Sequence, residues 1–153
     1  NKEFIIVKKQ TAINRWDVVI FNSNLKNIKY IINRVIWIWW DSIKISAWKV
    51  YLKKSWENTY NLLQESYLSW NSINNTSLDG LENVFNIPEW KYFVMWDNRN
   101  YSTDSRNCFW DCDSYSNYIE KKDILWKAYI DLWYFDLKTW ELTKPRFFEI
   151  NKD

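Results

Sequence analysis

The chain has 153 residues, a formal net charge of +2, 47% hydrophobic residues and 26% charged ones. That size and balance fit one globular domain and exclude a disordered tail, a strongly basic nucleic-acid module and an acidic solvating segment. Histidine is absent and there are only two cysteines, which excludes imidazole catalysis and a four-ligand zinc site, so neither a metal nor a cofactor is expected.

Taken in order, the elements are mostly β. The chain enters on Phe4–Lys9, β-branched and aromatic, with no leading Met and no basic-then-apolar leader. An opening inside a strand is what a fragment lacking its upstream part would show. Short β-type segments follow at Asp17–Phe21, Ile28–Ile36, Ser42–Ser46 and Lys49–Lys53. A polar stretch from Ser55 to Asn86 reads as an insertion, with a short helix over Thr59–Leu68 and a loop over Asn71–Asp79. Strand character returns at Lys91–Met95 and Lys127–Phe135, and Lys138–Asp153 reads as a hairpin and an exposed tail. The longest apolar run, Val35–Trp40, falls well short of the ~20 residues of a membrane span. The expected architecture is mainly β, a single domain over residues 1–153 with core 3–54 and 87–137, an insertion at about 55–86 and a tail at 138–153.

The densest polar cluster is Asp97-Asn98-Arg99-Asn100-Tyr101-Ser102-Thr103-Asp104-Ser105-Arg106, directly after the strand Tyr92–Met95. Most such stretches are hydrophilic loops. Here Asp104 and Arg106 alternate with Ser102 and Ser105, so carboxylate, guanidinium and hydroxyls can converge and hold a reactive side chain in place. Cys108 and Cys112, four apart, fit either a short-loop disulfide in an oxidising compartment or two free thiols in a reducing one.

The segment Ile87-Pro88-Glu89-Trp90-Lys91-Tyr92-Phe93-Val94-Met95-Trp96 followed by the polar cluster resembles the last box of bacterial type I signal peptidases, Pro-x-Gly-x-Tyr-Phe-x-Met-Gly-Asp-Asn-Arg-x-x-Ser-x-Asp-Ser-Arg. Two earlier boxes match in order. Arg15-Trp16-Asp17-Val18-Val19-Ile20-Phe21 is similar to Arg-Gly-Asp-Val-Val-x-Phe. Tyr30-Ile31-Ile32-Asn33-Arg34-Val35-Ile36-Trp37-Ile38-Trp39-Trp40-Asp41 is similar to Tyr-x-Ile-Lys-Arg-Val-Ile-Gly-Leu-Pro-Gly-Asp. Downstream, Asp123-Ile124-Leu125-Trp126-Lys127-Ala128 resembles Asp-Ile-x-Gly-Lys-Ala. The likeness runs from residue 3 to about 135.

The resemblance implies a signal-peptidase-like β-sheet or β-barrel core and a serine endopeptidase with a Ser/Lys dyad. In that chemistry a lysine, desolvated so that its amine is neutral, takes the serine proton. The family's Ser-Met-x-Pro-Thr box, which holds the nucleophile, does not occur in these residues, and Asn33 stands at the lysine position. An amide cannot act as a general base. Lys29 lies four residues earlier on the same strand face, ~13 Å away and out of reach. Ser102 matches the hydroxyl that orients the lysine, Asp104 and Arg106 the pair that buttresses the loop, and Asp97 would pair with Arg34. Ile20, Ile31 and Ile32 match positions lining shallow substrate pockets, with plain core packing as the alternative for each. The implied substrates are the signal peptides of secreted preproteins, bound as an added β-strand and cut after small residues. Nucleic acid is not an expected partner. A membrane anchor upstream would place the domain on the outer face of the cytoplasmic membrane, a setting in which Cys108 and Cys112 would be bridged. A catalytically inactive homologue that binds extended peptides is the second reading, motivated by Asn33.

Thirteen tryptophans accompany a single glycine, where average usage would give about eleven glycines. Trp16, Trp37, Trp40, Trp90, Trp96 and Trp126 stand at glycines of the resembled boxes, while Trp48, Trp56 and Trp140 sit in turn-like contexts. Tryptophan serves none of the purposes of a turn glycine. The pattern is expected of a gene whose UGA codons mean glycine. The alternative is a tryptophan-rich surface that binds carbohydrate or a membrane interface.

Overall fold

The computed structural model describes residues 2–9, 12–23, 28–77, 82–100, 103–113, 116–136 and 141–143. Its strands are β1 (Lys2–Lys8), β2 (Val18–Asn22), β3 (Tyr30–Ile38), β4 (Ser42–Ser46), β5 (Lys49–Lys53), β6 (Asn61–Leu62), β7 (Glu82–Asn86), β8 (Lys91–Met95), β9 (Ile119–Glu120), β10 (Ile124–Asp136) and β11 (Glu141–Thr143). The first sheet runs β1-β10-β2-β3-β8-β9, with β11 pairing β10, and the second runs β6-β5-β4-β7. All strand pairs described are antiparallel. The mainly-β expectation holds, and β4, β5 and β8 fall on their expected residues.

Between the sheets, Ile36 and Trp37 of β3 and Phe93 and Met95 of β8 pack on Ile43, Ile45, Val50, Leu52 and Phe85 of the second sheet. On the opposite face of the first sheet, Val19, Phe21, Val35 and Val94 pack with Phe109 and Ile119. A register shift between Val35 and Trp37 puts two consecutive residues, Ile36 and Trp37, into the same cluster. Both faces of β3 and β8 are therefore covered, which explains a run such as Val35-Ile36-Trp37 with every residue buried.

The helix expected over Thr59–Leu68 does not form. Asn61 and Leu62 pair with Leu52 and Tyr51 at the edge of the second sheet, and Leu63 N donates to Val50 O at 2.9 Å. Asn, Tyr and Ser are indifferent helix formers, and the free edge of β5 satisfies the same backbone groups. The stretch from residue 55 to 86 contributes β6 and β7, with β7 paired along β4. Its Asn83 and Asn86 hid that strand from a reading based on β-branched composition. Of the carboxyl-terminal hairpin and tail, only β11 against β10 lies within the described residues.

Candidate functional site

Strands β2 and β3 set the site by register. Val18 faces Arg34, Val19 faces Asn33, Ile20 faces Ile32 and Phe21 faces Ile31. Side chains alternate along a strand, so Asn33 shares a face with Ile31 and Val35, and Arg34 shares the other with Ile32 and Ile36. Of the three isoleucines matched to substrate pockets, Ile31 therefore lies on the Asn33 face, while Ile20 and Ile32 form a cross-strand pair on the opposite one. Ile20 is buried, Ile31 half-buried and Ile32 exposed. Asn33 itself is 3% exposed, and its Nδ2 donates to the Thr103 carbonyl at 3.3 Å. Lys29 does not approach it. Exposed just before β3, Lys29 lays its Nζ over the Tyr30 ring at 5.1 Å.

The polar cluster after β8 is tied down at its far end by Asp104 and Ser105. Ser105 Oγ accepts from Val94 N at 2.9 Å, and Asp104 Oδ2 accepts from Trp96 N at 3.1 Å. The same carboxylate caps the 3-10 turn Ser105–Trp110, accepting from Arg106 N at 3.0 Å. The Arg106 guanidinium returns to Asp104 through Nε at 3.0 Å and a terminal nitrogen at 2.9 Å. Its other terminal nitrogen donates to Ser77 O at 2.6 Å and Arg99 O at 2.7 Å. Asp104 and Arg106 are both buried, so this pair is no surface ion pair of marginal value. With one partner gone, the other would be left as an uncompensated interior charge.

Arg34 and Asp97 form the second brace, an Nε–Oδ1 bond of 2.9 Å beside a terminal-nitrogen bond to Oδ2 of 2.7 Å. Arg34 also donates to Trp16 O at 3.0 Å, and its guanidinium lies 4.4 Å over the Tyr67 ring. One side chain thus connects the turn before β2, strand β3, the polar cluster and the 55–77 segment. Planar guanidinium geometry makes this possible, since it bonds in its plane and stacks on its face.

Sequence reasoning missed a third brace. Arg99, with no exposure, pairs with Glu65 and donates to Tyr67 Oη at 3.0 Å. Burial pulls the Arg99 pKa down, but Glu65, Tyr67 and Asp97 outweigh it and the net shift is upward. Burial pushes the Tyr67 phenol well above its ordinary range; Glu65 adds to that shift and Arg99 opposes it. Near the start of β4, Asp41 pairs with Arg15, yet burial still lifts its carboxyl above the usual value. Arg99 was visible inside the Asp-Asn-Arg run, but its partners lie in the segment read as a helix.

Ser102 lies outside the described residues. Cys108 and Cys112 are joined by a disulfide with Cα atoms 4.9 Å apart, directly after the Asp104–Arg106 brace. Among the described residues no group of three or more His, Cys, Asp or Glu could hold a metal ion.

Chemically, the buried ion pairs hold the 97–106 segment against β3, where Asn33 bonds to Thr103. Asn33 offers an amide donor and acceptor, able to position a group but not to take a proton. A lysine there would extend from the same buried strand face, and desolvation would lower its pKa toward neutrality.

The family model described as signal peptidase, peptidase S26, matches residues 1–133. Signal peptidase I P of Bacillus subtilis subsp. natto is 32% identical over 105 residues, covering 66% of this chain and 53% of that protein. Signal peptidase I of Bacillus licheniformis is 34% identical over 97 residues, 61% of this chain and 48% of that protein. The chain thus spans about half the length of these curated relatives. In fold it resembles the crystal structure of a signal peptidase I from Enterococcus faecalis V583, with a TM-score of 0.55 at 21% identity over 78% of this chain and 98% of that one. With nearly the whole chain matched and its boxes meeting at one frame, the chain belongs to the signal peptidase family, peptidase S26.

Proposed function

We propose that this chain is the catalytic-domain portion of an endopeptidase that removes signal peptides from secreted preproteins, cutting after small residues. The observation that carries the reading is the meeting at positions 33 and 34 of strand β3 and the 97–106 cluster, more than sixty residues apart in sequence. Asn33 touches Thr103, its neighbour Arg34 is clamped by Asp97, and Asp104 with Arg106 holds the loop that brings Thr103 there. A frame of buried ion pairs around a strand residue is what a dyad lysine needs to stay dry and oriented. Ser102, one residue from Thr103, is assigned the orienting hydroxyl. Ile20, Ile31 and Ile32 are assigned to the substrate channel, where an extended peptide adds as a strand.

A second reading is favoured by one specific fact: residue 33 is an asparagine, buried and hydrogen-bonded to backbone. On that reading the protein binds extended signal peptides and does not cut them. Among the described residues no helix is long and apolar enough to cross a membrane. We place the domain on the extracytoplasmic face of the cytoplasmic membrane, held by a segment upstream of these residues.

The test is cleavage of a purified preprotein by the full-length protein, as it stands and with Asn33→Lys. Cleavage by the unaltered protein establishes the peptidase. Peptide binding without cleavage, converted to cleavage by Asn33→Lys, establishes the second reading. Neither binding nor cleavage from either protein overturns both.

A further inference from the structure

Four tryptophans occupy left-handed backbone: Trp16 at φ 75°, Trp40 at 74°, Trp48 at 66° and Trp90 at 63°. A bulky residue there is a steric outlier, because its Cβ crowds the following carbonyl. The turns that hold them are those that call for glycine. Asp17 N bonds Asn14 O at 3.3 Å, and Lys91 N bonds Pro88 O at 3.2 Å, so Trp16 and Trp90 are each the third residue of a four-residue turn. The residues before them, Arg15 and Glu89, are not left-handed, which makes both turns type II with the glycine position filled by tryptophan. Ala47 and Trp48 form the two-residue loop between paired Ser46 and Lys49, with φ values of 49° and 66°. That is a type I′ hairpin turn, whose second position is typically glycine. Trp40 ends the turn between β3 and β4, its N–H donating to Ile87 O at 3.1 Å.

Trp16 packs on Trp37 and Tyr67 at the edge of the core, but packing does not compensate at the other three. Trp40, Trp48 and Trp90 are 59%, 58% and 65% exposed, although Trp90 rests on Trp39. Two more tryptophans mark strand irregularities where glycine is at home. The β3–β8 register shifts between Val35 and Trp37, and the β10–β2 register between Ile124 and Trp126. Among the described residues the buried Trp37 indole N–H finds no hydrogen-bond partner. A surface evolved to dock aromatic rings would select positions by exposure; these six are selected by backbone geometry, and Trp37 is wholly buried.

We propose that the native polypeptide carries glycine, not tryptophan, at positions 16, 37, 40, 48, 90 and 126, because these codons are UGA and the host decodes UGA as glycine. Trp56 and Trp96 are neither left-handed nor at a described register shift, and the proposal does not extend to them. It stands apart from the proposed activity, since an inactive protein with glycine at these positions would leave it intact.

The deciding measurement is tandem mass spectrometry of the protein purified from its native cells. Glycine in the peptides containing positions 16, 40, 48 and 90 is the expected result, and tryptophan there overturns the proposal. A second readout uses thermal unfolding of the recombinant chain as written. Each of Trp16→Gly, Trp40→Gly, Trp48→Gly and Trp90→Gly should raise Tm by ~2–4 °C. Trp39→Gly should lower it, because Trp39 has ordinary φ and packs on Tyr92 at 5.7 Å. Equal stabilisation by Trp39→Gly would mean that loss of any tryptophan helps, and would count against the turn argument.

Discussion

Arg34 and Asp97, 63 residues apart, meet side-on in the interior with Nε–Oδ1 at 2.9 Å and a second bond to Oδ2 at 2.7 Å. Breaking one side of such a pair strands a charge. Asp97→Ala should cost about 3–5 kcal/mol of folding stability. Replacing both, as Arg34→Met with Asp97→Leu, should cost less than the single change, although Arg34 also forfeits its bond to Trp16 O and its stacking on Tyr67. Urea unfolding of Arg34→Met, Asp97→Leu and the double variant measures this. A double variant as unstable as the sum of its parts would mean that the pair is not coupled.

Asn33 is 3% exposed and bonded to the Thr103 carbonyl, so Asn33→Lys sets a buried amine where an amide sat. The ammonium loses hydration, and its folded-state pKa falls below the unfolded value. Between those two pKa values the unfolded chain holds the extra proton, so stability must rise with pH across that window. The variant should be less stable than the parent by about 1–3 kcal/mol at neutral pH, with the deficit shrinking as pH rises toward 10. A deficit independent of pH would show that the amine reaches water.

Tyr67 makes the opposite case at alkaline pH. Burial holds its phenol well above the ordinary value in the folded protein. The unfolded chain therefore releases this proton first, from about pH 10 upward, and stability falls as pH climbs toward the folded-state pKa. Tyr67→Phe should remove that part of the alkaline decline, at a fixed cost from losing the bonds with Arg99 and Glu65. Denaturation midpoints between pH 8 and 11 test it: parallel curves for the two proteins would sink the assignment.

Legibility in the sequence followed the range of the interaction. Strands β4, β5 and β8 are local patterns, and their residues could be read from β-branched composition alone. The Asp104–Arg106 brace was also legible, since its partners sit two residues apart. Arg34 with Asp97 became visible only through the family boxes, because nothing local to Arg34 names a partner 63 residues on. Arg99 with Glu65 was not seen at all: the vacant edge of β5 takes up only Asn61 and Leu62, and the turn after them, closed by Leu68 N to Glu65 O, presents Glu65 to a buried guanidinium that nothing local names. The register shift that turns both Ile36 and Trp37 into one core was equally hidden. A strict two-residue alternation assigns them to opposite faces.

The Cys108–Cys112 disulfide closes a very short loop directly beyond the Asp104–Arg106 brace. Loop-closure entropy for so few residues gives only about 2 kcal/mol. The bridge has a second effect, because Cys108 and Phe109 hold left-handed backbone at φ 47° and 56°. That path carries Phe109 into the core against Phe21, with ring centroids 5.7 Å apart. Replacing both cysteines by serine should therefore cost about 2 kcal/mol or more and loosen Phe109 selectively. The brace and its neighbour should survive, since the bonds of Ser105 to Val94 N and of Asp104 to Trp96 N are made before the chain reaches Cys108. Hydrogen exchange separates these effects: protection should fall around residues 108–112 and persist at Val94 and Trp96. Equal loss at both places would mean that the disulfide holds the whole loop and that the buried carboxylate does not.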